Sequence, residues 1–189
     1  MKYLMLSMVG ALLGLCVTVA GQTSNPQSSA QTVPNADKQF AMKAAEASMA
    51  EVALGDLATK QAADEGVKQF GQRMRDEHTK ANDELKGWAS QKGVMLPSEP
   101  SAKQKQVADH LSKLSGAEFD REFARVMVKD HIEAVALFER QTRTGQDQEL
   151  KDWANQKLPT LRDHLTESRN LASKLGVNPG NPPKTQKGR

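Results

Sequence analysis

One helical face within Val67–Trp88 constrains the fold of this chain more than any other feature. Steps of three and four residues place these side chains on it: Val67, Phe70, Met74, His78, Ala81, Leu85 and Trp88. This is the spacing of an amphipathic α-helix, and only its middle residue, His78, is polar. A buried polar group without a partner costs about 1–3 kcal/mol. The sequence therefore predicts a helix whose imidazole meets polar groups from neighbouring helices.

Three other stretches have the same spacing and also have one ligand-type residue near mid-length. A helix from about Asp37 to Ala63 has Glu51 at its centre, and two later helices have His131 and His164. The composition agrees, because aromatic residues make up only 4% of the chain while Ala, Leu, Lys, Glu and Gln dominate. Four long helices are therefore predicted.

The connections between these helices indicate two hairpins. Asp64 and Asp147 each follow a very short turn and can cap the next helix. Short turns make the joined helices antiparallel neighbours. A shorter amphipathic helix over Ser101–Leu114 would cross between the hairpins, and Ser115 with Glu118 fits a capping box before the third long helix. The predicted fold is an all-α four-helix bundle of two antiparallel hairpins with a short crossover helix.

The four inward-facing polar residues, Glu51, His78, His131 and His164, form the candidate metal site. Three imidazoles and one carboxylate in a bundle interior suit a divalent transition metal such as zinc, iron or copper. Glu51 and His78 lie at equal distances from the turn of the first hairpin. Glu167 follows His164 by one helical turn, and its carboxylate could accept a hydrogen bond from the ring nitrogen that does not bind the metal.

The second hairpin fits this site less well. His164 lies about four residues further from its turn than His131, roughly one helical turn at about 1.5 Å per residue. A kink at Pro159, inside the last helix, could absorb part of this offset. The register of the second hairpin is therefore the least secure part of the predicted site.

A metal-free interpretation stays open beside the metal site. A buried layer of His and Glu can simply fix helix packing in a non-catalytic structural or interaction module, and Met49, Met74 and Met127 are more readily explained by packing than by copper(I). The chain has no glycine-rich phosphate loop, no G-x-S-x-G and no H-E-x-x-H motif. The Glu-x-x-His pairs of di-iron bundles are absent too. We assign no catalytic residue and leave open whether the chain is an enzyme.

The termini indicate an exported protein. Residues 1–20 have Lys2 followed by an apolar run that ends in a small-x-small pattern, as in a signal peptide cut at Ala20. A retained leader is the alternative, and lipidation at Cys16 is disfavoured by Leu15. Residues 21–36 are predicted to be a disordered linker and residues 176–189 a disordered tail. The expected location is the periplasm or the medium, with no membrane span in the mature chain.

Partners are less constrained by the sequence. The formal net charge is only +3, and basic residues alternate with acidic ones, which argues against nucleic-acid binding. A homodimer formed by exchange of a hairpin stays open. No protein partner is indicated.

Four segments resemble a bacterial family, the domain of unknown function numbered 4142. They are FAMKAAEASMAEVALGDLA (Phe40–Ala58), VKQFGQRMRDEHTKANDEL (Val67–Leu85), FDREFARVMVKDH (Phe119–His131) and LKDWANQKLPTLRDHL (Leu150–Leu165). The resemblance implies an exported helical bundle with a ferritin-like fold over residues 37–175, in a family whose members are often described as outer-membrane proteins. It implies no activity, so the metal ligands rest on the residue pattern alone.

Overall fold

The computed structural model describes residues 32–178, and helices make up most of that range. They are α1 (Asn35–Gln61), α2 (Glu65–Lys92), α3 (Ala102–Leu111), α4 (Gly116–Thr144) and α5 (Gln148–Lys174). No strand occurs within residues 32–178, so the all-helical prediction is confirmed for this range. None of these helices is long and apolar enough to cross a membrane.

Several predictions for the termini lie outside the described residues. These are the signal peptide over residues 1–20, the prediction that disfavours lipidation at Cys16, and most of the predicted linker and tail. The last residues of the linker are described: α1 already begins at Asn35, and Val33 is buried in the core. The folded region therefore starts a few residues before the predicted boundary.

Aspartates cap the two helices that follow tight turns, as predicted. The carboxylate of Asp64 accepts the backbone N–H groups of Gly66 and Val67, and that of Asp147 accepts the N–H of Leu150. The predicted capping box at Ser115 is wrong, because the Ser115 side chain makes no capping hydrogen bond. Gly116, the first residue of α4, has φ 58° and takes the chain out of the usual capping geometry.

Contacts between the long helices define their directions. α1 packs along α2 and α4 packs along α5 as antiparallel pairs. The start of α1 also meets the end of α4 through the Asp37–Gln141 hydrogen bond, so these two helices are antiparallel as well. α2 and α4 therefore run in the same direction. The chain between them, which includes α3, must return along the length of the pairs.

The buried apolar residues form two separate clusters, one towards each end of the long helices. The first includes Leu54, Val67, Phe70, Met74, Phe119, Phe123, Met127 and Leu171. The second includes Phe40, Leu85, Trp88, Phe138, Leu150, Leu158 and Leu161. Three buried histidines, His78, His131 and His164, lie along their helices between the residues of these clusters. The polar layer therefore divides the hydrophobic core in two.

Candidate metal centre

Three histidines from three helices converge in this layer. His78 on α2, His131 on α4 and His164 on α5 each offer a ring nitrogen, and these nitrogens all lie within 4.8 Å of one another. The ring centroids are 6.0 Å apart for His78 and His131, 5.6 Å for His78 and His164, and 5.2 Å for His131 and His164. All three side chains are buried, His131 at 1% exposure. The three side chains are close enough that they could hold one metal ion.

The pair with the expected offset, His131 and His164, is the closest of the three. Side chains on an α-helix lean towards its N-terminus. His131 on α4 therefore leans away from the α4–α5 turn, whereas His164 on α5 leans towards it. These two displacements reduce the offset of about four residues, and the register of the second hairpin is no obstacle to a site.

The same tilt explains why Glu51 is not part of the cluster. Glu51 and His78 are equally far from the α1–α2 turn. Because the turn lies at the C-terminus of α1 and the N-terminus of α2, Glu51 leans away from the turn and His78 leans towards it. Within residues 32–178 the group of side chains close enough to share an ion contains the three histidines without Glu51. Its predicted place among the metal ligands is therefore not reproduced. Glu51 instead lines a cavity together with His78 and His131.

Hydrogen bonds fix which nitrogen of two of the rings is free to bind an ion. Nδ1 of His131 lies 2.9 Å from the carbonyl oxygen of Met127. A carbonyl only accepts, so this nitrogen donates its proton and Nε2 has the lone pair. Nε2 of His164 lies 2.7 Å from Oε2 of Glu77, which leaves Nδ1 as the free nitrogen. Neither nitrogen of His78 has a hydrogen-bond partner among the described residues.

The carboxylate that holds His164 is Glu77 and not the predicted Glu167. Glu167 forms an ion pair with Arg73 instead. The guanidinium Nε of Arg73 also lies 3.8 Å from Oε1 of Glu77, so the two carboxylates share one cation. Glu77 directly precedes His78 in the sequence, but only the packing of α2 against α5 brings it to His164. The pattern of residues on α5 alone therefore could not identify it.

Burial keeps the three imidazoles neutral. It lowers the pKa of His78 to about 3, with a further contribution from His131. It lowers the pKa of His131 to about 4, although the hydrogen bond to Met127 opposes this shift. The pKa of His164 is lowered by burial and by the neighbouring histidines. Neutral imidazole is the form that can bind a metal, and these lowered pKa values favour it at neutral pH.

Glu51 responds to burial in the opposite sense. Burial raises the pKa of its carboxyl well above the ordinary value, and the charge of Asp130 raises it further. Its Oε2 has no hydrogen-bond partner within the described part of the chain. The Glu51 side chain is therefore a buried acid that faces a cavity and keeps its proton more readily than an exposed glutamate.

Two cavities reach the histidine cluster. The first, of about 510 Å³, is lined by residues of α1, α3 and α4 together with His78. The second, of about 440 Å³, has both His78 and His164 in its wall. Ala47 and Ala134 line both. The small side chains of these alanines leave room next to the rings, so the cluster is reachable from two sides.

The fold and this site together define an all-helical protein with three neutral histidines at its centre. The sequence profile of the domain of unknown function DUF4142 matches residues 22–171. The chain belongs to this family. A comparison with curated proteins finds none that matches the chain.

Two crystal structures of DUF305 proteins have a similar fold. One is from Streptomyces coelicolor and is named, by inference, as a secreted protein: it has 15% sequence identity, a TM-score of 0.68, and coverage of 77% of this chain and 96% of that protein. The other is a fragment from Deinococcus radiodurans, with 16% identity, a TM-score of 0.65, and coverage of 76% and 97%. At these identities the likeness concerns the fold alone.

Proposed function

We propose that this protein is an exported, ferritin-like four-helix bundle that binds one divalent transition metal through His78, His131 and His164. Zinc, iron and copper are the candidate ions, because imidazole suits all three. Its role would be in metal or oxidative-stress handling in the bacterial envelope. The fold part of this proposal is supported by the single crossover between two helix pairs, which is the connection of ferritin-like bundles.

One observation carries the metal proposal: three buried histidines from three helices each offer a ring nitrogen, and these nitrogens lie within 4.8 Å of one another. Nitrogens bound to one tetrahedral zinc ion lie about 3.4 Å apart, since each Zn–N bond is about 2.1 Å. Binding would therefore draw the rings together. Three protein ligands leave one position open, where a bound metal acts as a Lewis acid.

The protein's own residues prepare this site in two ways. Met127 and Glu77 hold the rings of His131 and His164 in the tautomers that direct a lone pair inwards. Burial keeps protons from competing with the metal, because the charged imidazolium is disfavoured in the core. Both effects lower the cost of binding without any rearrangement of the helices.

The alternative is a non-catalytic module in which the histidines only fix helix packing. That function would need each buried nitrogen to find a partner, since a buried unsatisfied polar group costs about 1–3 kcal/mol. Both nitrogens of His78 lack one in residues 32–178. This observation favours the metal over the packing role.

Elemental analysis tests the proposal. Protein expressed without an affinity tag should contain about one equivalent of zinc, iron or copper, or take it up when each is offered. His131→Ala should lose the metal, whereas His110→Ala should retain it, because His110 is exposed on α3. Metal at about 100 times its Kd should also stabilise the wild type by about 2.7 kcal/mol. Folded wild-type protein that takes up none of the three metals would overturn the proposal.

A further inference from the structure

The larger of the two cavities has the composition of a ligand site. It has a volume of about 510 Å³, and its wall includes Glu51, His78 and His131 next to small apolar residues such as Ala50. Oε2 of Glu51 is buried and lacks a hydrogen-bond partner among the described residues. A buried polar atom in this position needs a partner, and the cavity has room for one beside two of the histidines.

Charge indicates what kind of ligand would fit. Three neutral imidazoles do not compensate the charge of a divalent ion, and an uncompensated cation at the wall of a cavity attracts an anion. The cavity is also lined by four basic side chains and, apart from Glu51, by three acidic ones. The basic residues are Lys43, Lys103, Lys129 and Arg140, and the acidic ones are Glu46, Asp130 and Glu133.

We propose that a small anion enters through this cavity and binds the metal at the position that the three histidines leave open, next to Glu51. The class of ligand is a small monoanion that coordinates through one oxygen or nitrogen. This inference rests on the proposed function, because it needs the bound metal. It adds a route, a ligand class and a second side chain, Glu51, that faces the ligand.

Cobalt(II) and azide provide the test, because azide bound to cobalt changes the visible spectrum. The metal-loaded wild type should show a saturable spectral change when azide is added. Ala50 lines only the larger cavity and Ala81 only the smaller one. Ala50→Leu should weaken azide binding by at least about tenfold, since one or more extra methylene groups must be accommodated in the cavity. Ala81→Leu, the matched control, should change it less than twofold.

Cobalt content separates this inference from the proposed function. If the wild type takes up no cobalt, zinc, iron or copper, both fail. If cobalt is bound at one equivalent and azide leaves the spectrum unchanged, only the anion site fails. An azide response that appears only in Glu51→Ala would show that Glu51 itself fills the open position, which also overturns the inference. Each leucine variant is compared at equal cobalt content and equal far-UV circular dichroism, so that a folding defect is not mistaken for a blocked cavity.

Discussion

The two helix hairpins, α1–α2 and α4–α5, are held together at their ends by equivalent contacts. In each hairpin an aspartate near the start of the first helix binds the turn of the other hairpin, and we call these two residues, Asp37 and Asp120, the clamp aspartates. Asp37 near the start of α1 accepts the backbone N–H groups of Gln146 and Asp147 in the turn of the other hairpin. Asp120 near the start of α4 accepts those of Ala63 and Asp64 in the opposite turn. Each of these clamp aspartates precedes the cap aspartate of its own hairpin by the same 27 residues. Each hairpin therefore holds the turn of the other.

The centres of the hairpins are different. At the spacing that relates the clamps, His131 corresponds to Ser48, His164 to Ala81 and His78 to Leu161. The first hairpin therefore supplies one imidazole and the second supplies two. The repeated positions are those that hold the turns, whereas the positions of the central histidines differ between the hairpins. These end contacts fix the positions of the helices along one another, and they leave the central side chains free to differ.

Removing a clamp is expected to have the largest effect on stability. Asp37→Ala leaves two turn amides and the Nε2 of Gln141 without their acceptor, which should cost at least about 3 kcal/mol at about 1–3 kcal/mol for each group. Asp120→Ala loses two such bonds and should cost at least about 2 kcal/mol. Urea unfolding of the metal-free protein measures both.

Asp152→Ala is the control for the clamps, because Asp152 is exposed on α5, and its effect should stay within about 0.5 kcal/mol. Metal content should not change in either clamp variant that remains folded. A cost below about 1 kcal/mol for both would contradict the idea that the hairpins hold each other's turns.

Close helix contact distinguishes the first hairpin from the second. A Cβ atom on Gly55 would lie against the carbonyl oxygen of Gly71 and 2.9 Å from the backbone nitrogen of Arg75. The corresponding residues of the second hairpin are Phe138 and Ala154. Gly55→Ala should therefore push α1 and α2 apart and cost about 1–3 kcal/mol.

Gly87 offers a matched control for this substitution. It lies in α2, and a Cβ there would have no neighbour within 4 Å. Gly87→Ala should stabilise the protein by about 0.4–1 kcal/mol, because alanine loses less backbone freedom on folding. Equal effects of the two alanines would show that α1 and α2 do not need the close approach.

Much of the fold could be predicted from the sequence, because the signals for helices and their caps lie within a few residues of one another. The helical spacing and the cap aspartates depend on residues a few positions apart. The burial of His78, His131 and His164 follows because each lies on the apolar face of its own helix. The capping box at Ser115 was wrong because the left-handed backbone of Gly116 is not visible in a residue pattern. Local signals therefore predict helices better than the conformation at their ends.

The membership of the site depends on the direction of side chains across helices. Counting residues from a turn placed Glu51 level with His78 and left His164 out of step with His131. The lean of side chains towards the helix N-terminus reverses both expectations. The choice of Glu77 over Glu167 depends on how α2 packs against α5, and the sequence of α5 contains no signal for it.

Glu77, the carboxylate that contacts the His164 ring, provides a further test with a smaller expected effect. Glu77→Ala removes the acceptor that fixes the His164 tautomer, so metal affinity should fall by about 10–100-fold, the usual effect of losing such a partner. Glu167→Ala should have little effect, because Glu167 contacts Arg73 and not the ring. Competition with a chelator measures both affinities. The reverse order of effects would restore Glu167 as the partner of His164.

The pH dependence of the free energy of unfolding reports on the buried histidines of both hairpins, His78 in the first and His131 in the second. Each native pKa lies below the unfolded value of 6.5, at about 3 for His78 and about 4 for His131. As pH falls below 6.5, the unfolded chain takes up protons that the native state does not, so stability falls. The slope is about 1.4 kcal/mol per pH unit for each histidine, and it ends near pH 4 for His131.

Glu51 has the opposite slope, because its raised native pKa stabilises the folded state as pH falls towards 4.5. The contribution of a single ring is therefore best isolated by difference. Metal-free His131→Phe should lose less stability than the wild type between pH 6.5 and 4, by about 1.4 kcal/mol per pH unit. Parallel curves for wild type and His131→Phe would mean that the native protein accepts a charged His131, and the layer could not then be the neutral ligand set on which the proposed metal site depends.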